Sequence, residues 1–256
     1  MRIMTMNIWG DYFGNPVDVR IGGILETIKK YSPDVVGMQE VTSGWYNSGL
    51  IEALSEEYAP VEAAVGNYTP LFYKREKFNL AKRGWELLSE TPDKSKSITW
   101  AVLESVDSGK RFAVCNTHFW WKYRNPDDDR IRVCNAAQLF DIAGGIHEKH
   151  GIPVFAFGDL NCREGSPALE YLNERSFTVS YRIADNFTDI SSHHGDPKLG
   201  EDGKYHGSRT ENKIGESIDQ ILTFRDGAHV TDYTVVCDQS ALDATDHSPV
   251  FIDALI

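Results

Sequence analysis

The sequence predicts an α/β protein in which two β-rich halves pack together as one domain over residues 1–256. Three observations carry that expectation. Short apolar runs with two-residue alternation recur in both halves, segments with apolar residues at helical spacing lie between them, and no Pro-, Gly- or Ser-rich linker divides the chain. A chain of 256 residues with 41% hydrophobic and 25% charged content is ordinary for a globular protein, with enough length to bury roughly three-quarters of its unfolded surface.

Taken in order, Arg2–Ile8 reads as a strand, and 18–31 as an amphipathic helix with Val19, Ile24, Leu25 and Ile28 on its apolar side. Asp34–Gln39 reads as a short buried strand, followed by a helix over 48–57. Segments at 69–73, 78–88, 97–106 and 111–117 alternate as strands do, with Asp107-Ser-Gly109 as a hairpin turn, so an antiparallel meander is expected there. A long helix over 127–150 follows, carrying Ile131, Cys134, Leu139, Ile142 and Ile146 and ending near Gly151 and Pro153. A strand through Phe157 comes next, then a short helix entered at Ser166-Pro167, an N-cap followed by a first-turn proline. Residues 186–215 are polar and Gly-rich, without a clear period, and predict a long loop of the kind that is usually functional or mobile. Strands at 217–224, 229–236 and 249–255 close the chain.

The formal charge of −12, from 38 acidic against 26 basic residues, repels nucleic acid at long range unless basic groups gather on one face or a bound cation reverses the field locally. Cys115, Cys134, Cys162 and Cys237 are widely and irregularly spaced with no Cys-x-x-Cys pair, which predicts reduced, buried or half-buried thiols. With no signal-peptide pattern and no apolar run near the roughly 20 residues a membrane span requires, a cytoplasmic location without stable membrane association is expected.

Candidate chemistry sits where apolar strands end. In Pro153-Val-Phe-Ala-Phe-Gly-Asp-Leu-Asn161 a strand runs into Asp159 and Asn161, whose i, i+2 spacing can turn both toward one point. Thr245-Asp-His-Ser-Pro249 sets Asp246 beside His247 just before another strand, and Asn7, Glu40, His118 and Asp219 occupy further strand ends. Gathered together, these are four carboxylates, two carboxamides and two imidazoles, a set suited to Mg²⁺ or Mn²⁺, hard cations that take oxygen ligands and keep several waters. Glu40 is the first choice as ligand, with Asn7 and Asp246 helping to hold the ion. Hydrolysis of a phosphoester needs an activated water and neutralisation of the non-bridging oxygens. Asp159 suits the first task with Asn161 beside it. His247 suits the second, held by Asp219 as carboxylates commonly hold a working imidazole.

Met6-Asn-Ile8, Gln39-Glu40, Asn116-Thr-His118, Gly158-Asp-Leu-Asn161, Ile218-Asp219 and Thr245-Asp-His-Ser-Pro249 together resemble the endonuclease/exonuclease/phosphatase superfamily, in the family's order and over nearly the whole chain. The resemblance implies a four-layer α-β-β-α sandwich with two facing mixed, mainly antiparallel sheets and the active site at one end. It implies Asn7 and Glu40 at a divalent metal, His118 against the scissile phosphate, Asp159 and Asn161 on the nucleophile, and Asp219 paired with His247 beside Asp246. Asn116-Thr-His-Phe-Trp-Trp121, followed by a helix rich in Asp and Arg, resembles the deadenylase and nocturnin branch more than the abasic-site repair branch, whose Tyr-containing segment has no counterpart here. Leu88-Ser-Glu-Thr-Pro92, Lys204-Tyr-His-Gly207 and Ser217-Ile-Asp-Gln-Ile221 also resemble a bacterial group of hydrolases in that branch.

Each residue has a plainer reading beside the functional one. Asp-x-Asn can be a turn whose side chains cap their own backbone, Glu40 a solvated strand end, Asn7 a cap for the helix near Asp18, and His118 a structural histidine among aromatics. Trp120 and Trp121 divide between core and rim, and either could stack on a base or sugar. Arg124, Arg163 and Arg209 are solvated surface charges or contacts to further phosphates, while His193, His194 and His206 could gate a cleft from the long loop. Among possible partners, a small phosphorylated compound (nucleotide, sugar phosphate or inositol phosphate) suits the acidic chain better than nucleic acid, and a nuclease is the alternative. A non-catalytic scaffold of the same fold would betray itself by loss of one of these polar positions, and all are present.

Overall fold

The computed structural model describes residues 1–63, 66–225 and 227–256. The first elements are β1 (Arg2–Asn7), α1 (Ile21–Tyr31), β2 (Val35–Gln39), α2 (Ser43–Asn47), α3 (Leu50–Leu54), β3 (Tyr58–Pro60) and β4 (Leu71–Lys74). Next come β5 (Phe78–Leu87), β6 (Ser97–Ser105), β7 (Arg111–His118), α4 (Pro126–His150), β8 (Val154–Asp159), α5 (Pro167–Asn173) and β9 (Phe177–Val179). The chain finishes with β10 (Asn186–Phe187), β11 (Lys198–Leu199), β12 (Tyr205–His206), β13 (Asp219–Phe224), β14 (His229–Val235), α6 (Gln239–Ala244) and β15 (Val250–Leu255).

Two large mixed sheets form, in the orders β10-β14-β15-β1-β2-β4-β3 and β5-β6-β7-β8-β13-β9. Most neighbours are antiparallel, while β1 with β2, β7 with β8 and β10 with β14 are parallel. Alternation along the central strands builds three apolar layers. Ile3, Val35, Phe112, Val114, Phe155, Phe157 and Ile221 point between the sheets. Met4, Met6, Val36 and Met38 point outward under α1, α2, α3 and α6, and Ala113, Cys115, Val154 and Ala156 point outward under α4 and α5. A sheet with two apolar faces must be covered on both, and the result is the four-layer α-β-β-α sandwich.

The same alternation places polar residues between the sheets near one end. Ile3, Thr5 and Asn7 share a side of β1, as do Phe112, Val114, Asn116 and His118 on β7 and Phe155, Phe157 and Asp159 on β8. Buried Gln39 donates to Asn116 Oδ1 at 2.6 Å and Thr5 Oγ1 at 3.0 Å, and Asn116 donates to the carbonyls of Met38 and Pro70 at 2.9 Å each. This satisfied network, with bonds worth about 1 kcal/mol each net, ties the two sheets together directly beneath the polar strand ends.

Gly158 is required for the last step into that end. Its φ is +146°, and a Cβ there would lie 1.9 Å from the Thr117 carbonyl oxygen, which is backbone and cannot rotate away. Gly158→Ala is therefore expected to cost about 3 kcal/mol or more in strain and displaced backbone. Chemical denaturation reads this as a lower midpoint at unchanged slope, and an unaltered midpoint would contradict it.

Several local expectations are corrected. The first helix begins at Ile21, and Val19 is half exposed before it. The helix expected over 48–57 is the shorter α3, and α2, which ends before that range and is separated from α3 by Gly49 at φ +86°, was not foreseen. β4 joins β2 in the seven-stranded sheet, so the meander comprises only β5, β6 and β7. β3 was not foreseen. The long loop holds short β10 and a small hairpin, β11–β12. Ser166 stands at the N-cap of α5 without a side-chain capping bond, although Pro167 opens the helix as expected. α4 starts where Asn125 and Asp128 form a reciprocal capping box and ends at Gly151 in the left-handed conformation. All four cysteines are free, Cys115 and Cys162 buried and the other two half-buried.

Candidate active site

Topology gathers the strand ends. β1 and β2 run parallel and β15 runs against β1, while β7 and β8 run parallel and β13 runs against β8. The C-terminal ends of β1, β2, β7 and β8 therefore meet the N-terminal ends of β13 and β15. Register makes this specific, since Asp159 sits opposite His118 on one side and Asp219 on the other.

Glu40 departs from the pattern. Alternation would send it away from Gln39, toward the helices, but it adopts φ +60° just beyond β2. Its carboxylate accepts from Asn7 Nδ2 at 3.2 Å and from the Gly10 amide at 2.9 Å. Asn7 Nδ2 also donates to Asp159 Oδ2 at 3.0 Å, so one carboxamide bridges two carboxylates contributed by different sheets. Asn7 Oδ1 accepts from the Trp9 amide at 3.0 Å, and the residue caps no helix.

Asp159 is buried and also accepts from the Asn161 amide at 2.9 Å and faces His118 Nε2 at 3.3 Å. Burial, with Asp219 nearby, pushes its carboxyl up to about 7 against the opposing pull of His247. His247 Nδ1 lies 2.7 Å from Asp219 Oδ2, leaving Nε2 aimed toward Asp159 Oδ2 at 4.0 Å and Asp246 Oδ2 at 3.9 Å. Burial disfavours the imidazolium, yet the surrounding Asp219, Asp246 and Asp159 carboxylates outweigh it and hold His247 well above the usual histidine range. Asp219 is itself fixed by Ser192 Oγ at 2.7 Å. His118 moves the other way, because burial and then the Lys96 ammonium and His247 keep it neutral. Asp246 is raised to about 6 by burial, with Glu40 adding to the effect and His247 opposing it.

These groups border a cavity of about 600 Å³. Glu40, His118, Asp159, Asn161, Asp246 and His247 line it together with Trp121 and His193, whose ring stacks edge-on against His247 with centroids 4.8 Å apart. Asn7 and Asp219 stand immediately behind. Trp120 is buried, its indole donating to Asp128 Oδ1 at 2.7 Å, and is not part of the lining. Arg163 lies on the surface paired with Glu216 at 2.7 Å, His206 lies on β12 beside Asp202 at 3.1 Å, and Arg209 is exposed. None of these three lines the cavity.

Sequence reasoning overlooked other lining residues, namely Trp9, Tyr12, Tyr68, Asp93, Lys94, Ser95 and Lys96. Lys96 is buried, its amine 2.9 Å from His118 Nε2 and 3.1 Å from Nδ1. Burial pulls it below the ordinary lysine range, opposed by the Glu40, Asp159 and Asp93 carboxylates. It escaped notice because Thr91-Pro-Asp-Lys-Ser-Lys96 reads as a solvated turn.

The donor set fits a divalent cation. One ligand atom from each of Glu40, His118 and Asp159 lies within 4.8 Å of the others, and a second such trio is His193, Asp246 and His247. Asp159 and Asp246 are both held toward their protonated forms by burial. Neighbouring carboxylates add to that effect, and a dication among them would favour the charged forms.

The sequence pattern of the endonuclease/exonuclease/phosphatase family matches residues 4–247, and the chain belongs to that family. The human 2',5'-phosphodiesterase 12 is 27% identical over 181 residues, which are 57% of this chain and 28% of that protein, so the chain spans little more than a quarter of that relative's length. Among solved structures, an endonuclease/exonuclease/phosphatase from Bacteroides vulgatus superposes with a TM-score of 0.79 at 24% identity, covering 100% of this chain and 98% of the other. The human nocturnin catalytic domain superposes with a TM-score of 0.73 at 20% identity, covering 100% and 94%. The family match bears out the expected superfamily, and the superpositions bear out its fold. Enzymes of this family are phosphoesterase hydrolases that typically depend on a divalent metal. No helix among the described residues is long and apolar enough to cross a membrane.

Proposed function

We propose that residues 1–256 act as one catalytic unit, a Mg²⁺- or Mn²⁺-dependent phosphoesterase that hydrolyses a small phosphorylated compound with water activated at Asp159. One observation carries the reading: Asn7 joins Glu40 to Asp159 at the point where the two sheets meet, with His118 and His247 on either side of that carboxylate.

Glu40, with Asn7 and Asp246 supporting it, would hold the cation. The ion supplies Lewis-acid neutralisation of charge on the phosphoryl and leaving oxygens. Asp159 orients the attacking water and takes its proton as the new P–O bond forms and the ester P–O bond breaks, the leaving oxygen departing with the electron pair and taking a proton from solvent, while the Asn161 backbone amide keeps the carboxylate in place. His247, charged and steered by Asp219, donates from Nε2 to a phosphoryl oxygen as charge gathers there. Neutral His118 holds a further phosphoryl oxygen.

A bounded cavity and a net charge of −12 favour a compact phosphorylated solute over long nucleic acid. The test is a panel of nucleotides, sugar phosphates, inositol phosphates and oligonucleotides, assayed with Mg²⁺ or Mn²⁺ and again with chelator. Turnover of small esters that disappears with chelator is expected. Turnover indifferent to chelator, or none with any ester, would overturn the reading. Preference for oligonucleotides with steep salt dependence would make the protein a nuclease instead.

A further inference from the structure

We propose that Lys96 is the phosphoryl anchor of the cavity and selects phosphomonoesters over phosphodiesters. The proposal rests on the phosphoesterase reading and names the class of ester within it.

Lys96 sits on rigid scaffold, just before β6, where its carbonyl accepts from the Leu88 amide at 2.9 Å. Its side chain is nonetheless turned inward and lines the cavity, and the residue is only 5% exposed. Among the described residues its ammonium forms no ion pair within 4.0 Å of a carboxylate oxygen, and its side-chain contacts are the two ring nitrogens of His118. A lysine ammonium carries three N–H donors, whereas one imidazole ring offers at most one lone pair whatever its charge. At least two donors therefore lack a protein acceptor in a place where an unmatched charge is costly. Acceptors must come from what enters the cavity.

The neighbourhood says which kind. His118 stands between Lys96 and Asp159, 2.9 Å from the amine and 3.3 Å from the carboxylate, so an anion held by Lys96 sits beside the proposed water-activating group. His247 approaches the same carboxylate from the other side at 4.0 Å. N–H groups thus flank Asp159 from two directions. A phosphomonoester presents three terminal oxygens and close to two negative charges at neutral pH, because its second ionisation lies near pH 6. A diester presents two terminal oxygens and one charge. The additional oxygen and charge of the monoester are what an unmatched ammonium takes up, and replacing that oxygen with an ester substituent leaves the amine unsatisfied again.

Inorganic phosphate and dimethyl phosphate are the probes, measured as competitive inhibitors of the metal-loaded enzyme and, independently, by calorimetry. They mimic the two ester classes without the confounding difference in intrinsic reactivity. In the native protein phosphate should bind about 10- to 100-fold more tightly than dimethyl phosphate, the worth of one charge-assisted hydrogen bond. In Lys96→Met the ratio should collapse toward unity, and Lys96→Arg should restore part of it. Equal affinity for the two probes in the native protein, or an unchanged ratio in Lys96→Met, overturns the anchor. The native comparison decides the matter if the methionine variant does not fold. Hydrolysis of diesters in preference to monoesters with the ratio at unity removes only this inference, whereas absence of any ester hydrolysis removes the phosphoesterase reading beneath it.

Discussion

Asp159→Asn is expected to lower turnover by about 10²- to 10⁴-fold, the range associated with loss of a positioned general base, while the protein stays folded. Asparagine has the shape of aspartate and keeps one side-chain acceptor, so the bond from the Asn161 amide at 2.9 Å can persist. It cannot accept the proton of the attacking water. The substitution also removes a buried negative charge that burial and the nearby Asp219 disfavour, against the lost attraction for the His247 imidazolium, so the two effects on stability oppose each other. Circular dichroism and the denaturation midpoint should therefore match the native protein. His247→Ala tests the other side of the same step, and loss of a donor to the developing phosphoryl charge predicts a fall of about 10²- to 10³-fold. Native turnover in both variants would contradict the assignment.

Glu40→Gln should have an effect of similar size by a different route. The substitution leaves the volume unchanged and retains an oxygen able to accept from Asn7 Nδ2 at 3.2 Å or the Gly10 amide at 2.9 Å. It removes one negative charge from the carboxylate set that would hold a dication. Magnesium is bound by only one or two protein carboxylates alongside its waters, so each counts heavily. A rise of at least about 10-fold in the metal concentration needed for half-maximal turnover is expected, with activity at low metal nearly lost. Turnover that saturates at the native metal concentration would argue that Glu40 serves the backbone bend at φ +60° and nothing more.

The residues most legible in the sequence were those at which a polar group abruptly ends an apolar strand. Asn7, His118 and Asp159 could be read that way because alternation fixes their side before any contact is known. Their convergence could not be read from alternation alone, since it depends on which strands pair and in what register. β4 illustrates the limit. Its local pattern is a strand, but pairing with β2, in the sheet opposite the meander, is a long-range event, and assuming that it joined the neighbouring meander gave the wrong sheet. β3 is three residues ending in Pro60, too short for any period to show. Gly49, at φ +86°, separates two five-residue helices, each too short for a helical period to show.

Buried charge was the least legible feature. Lys96 stands in a run of turn-forming residues and is nevertheless enclosed. Arg20 precedes α1 and looks like a surface charge, yet it is buried against Trp9 and Trp45 and donates to the carbonyls of Ile8, Trp9, Ala244 and Pro16. Both conclusions require knowing what packs over the residue. By contrast Arg163 and Arg209, loop cations able to reach further phosphates, and His206, a candidate gate in the long loop, have no place on the cavity wall, because a position in a loop does not say which way the loop faces.

Titration of Mn²⁺ into metal-stripped protein by calorimetry, native beside Glu40→Gln, bears most directly on a dication held at the meeting of the two sheets. A saturable heat in the native protein that is lost or shifted to at least about 10-fold weaker affinity in the variant is the expected result. No saturable heat in the native protein, or identical isotherms for the two, would contradict it.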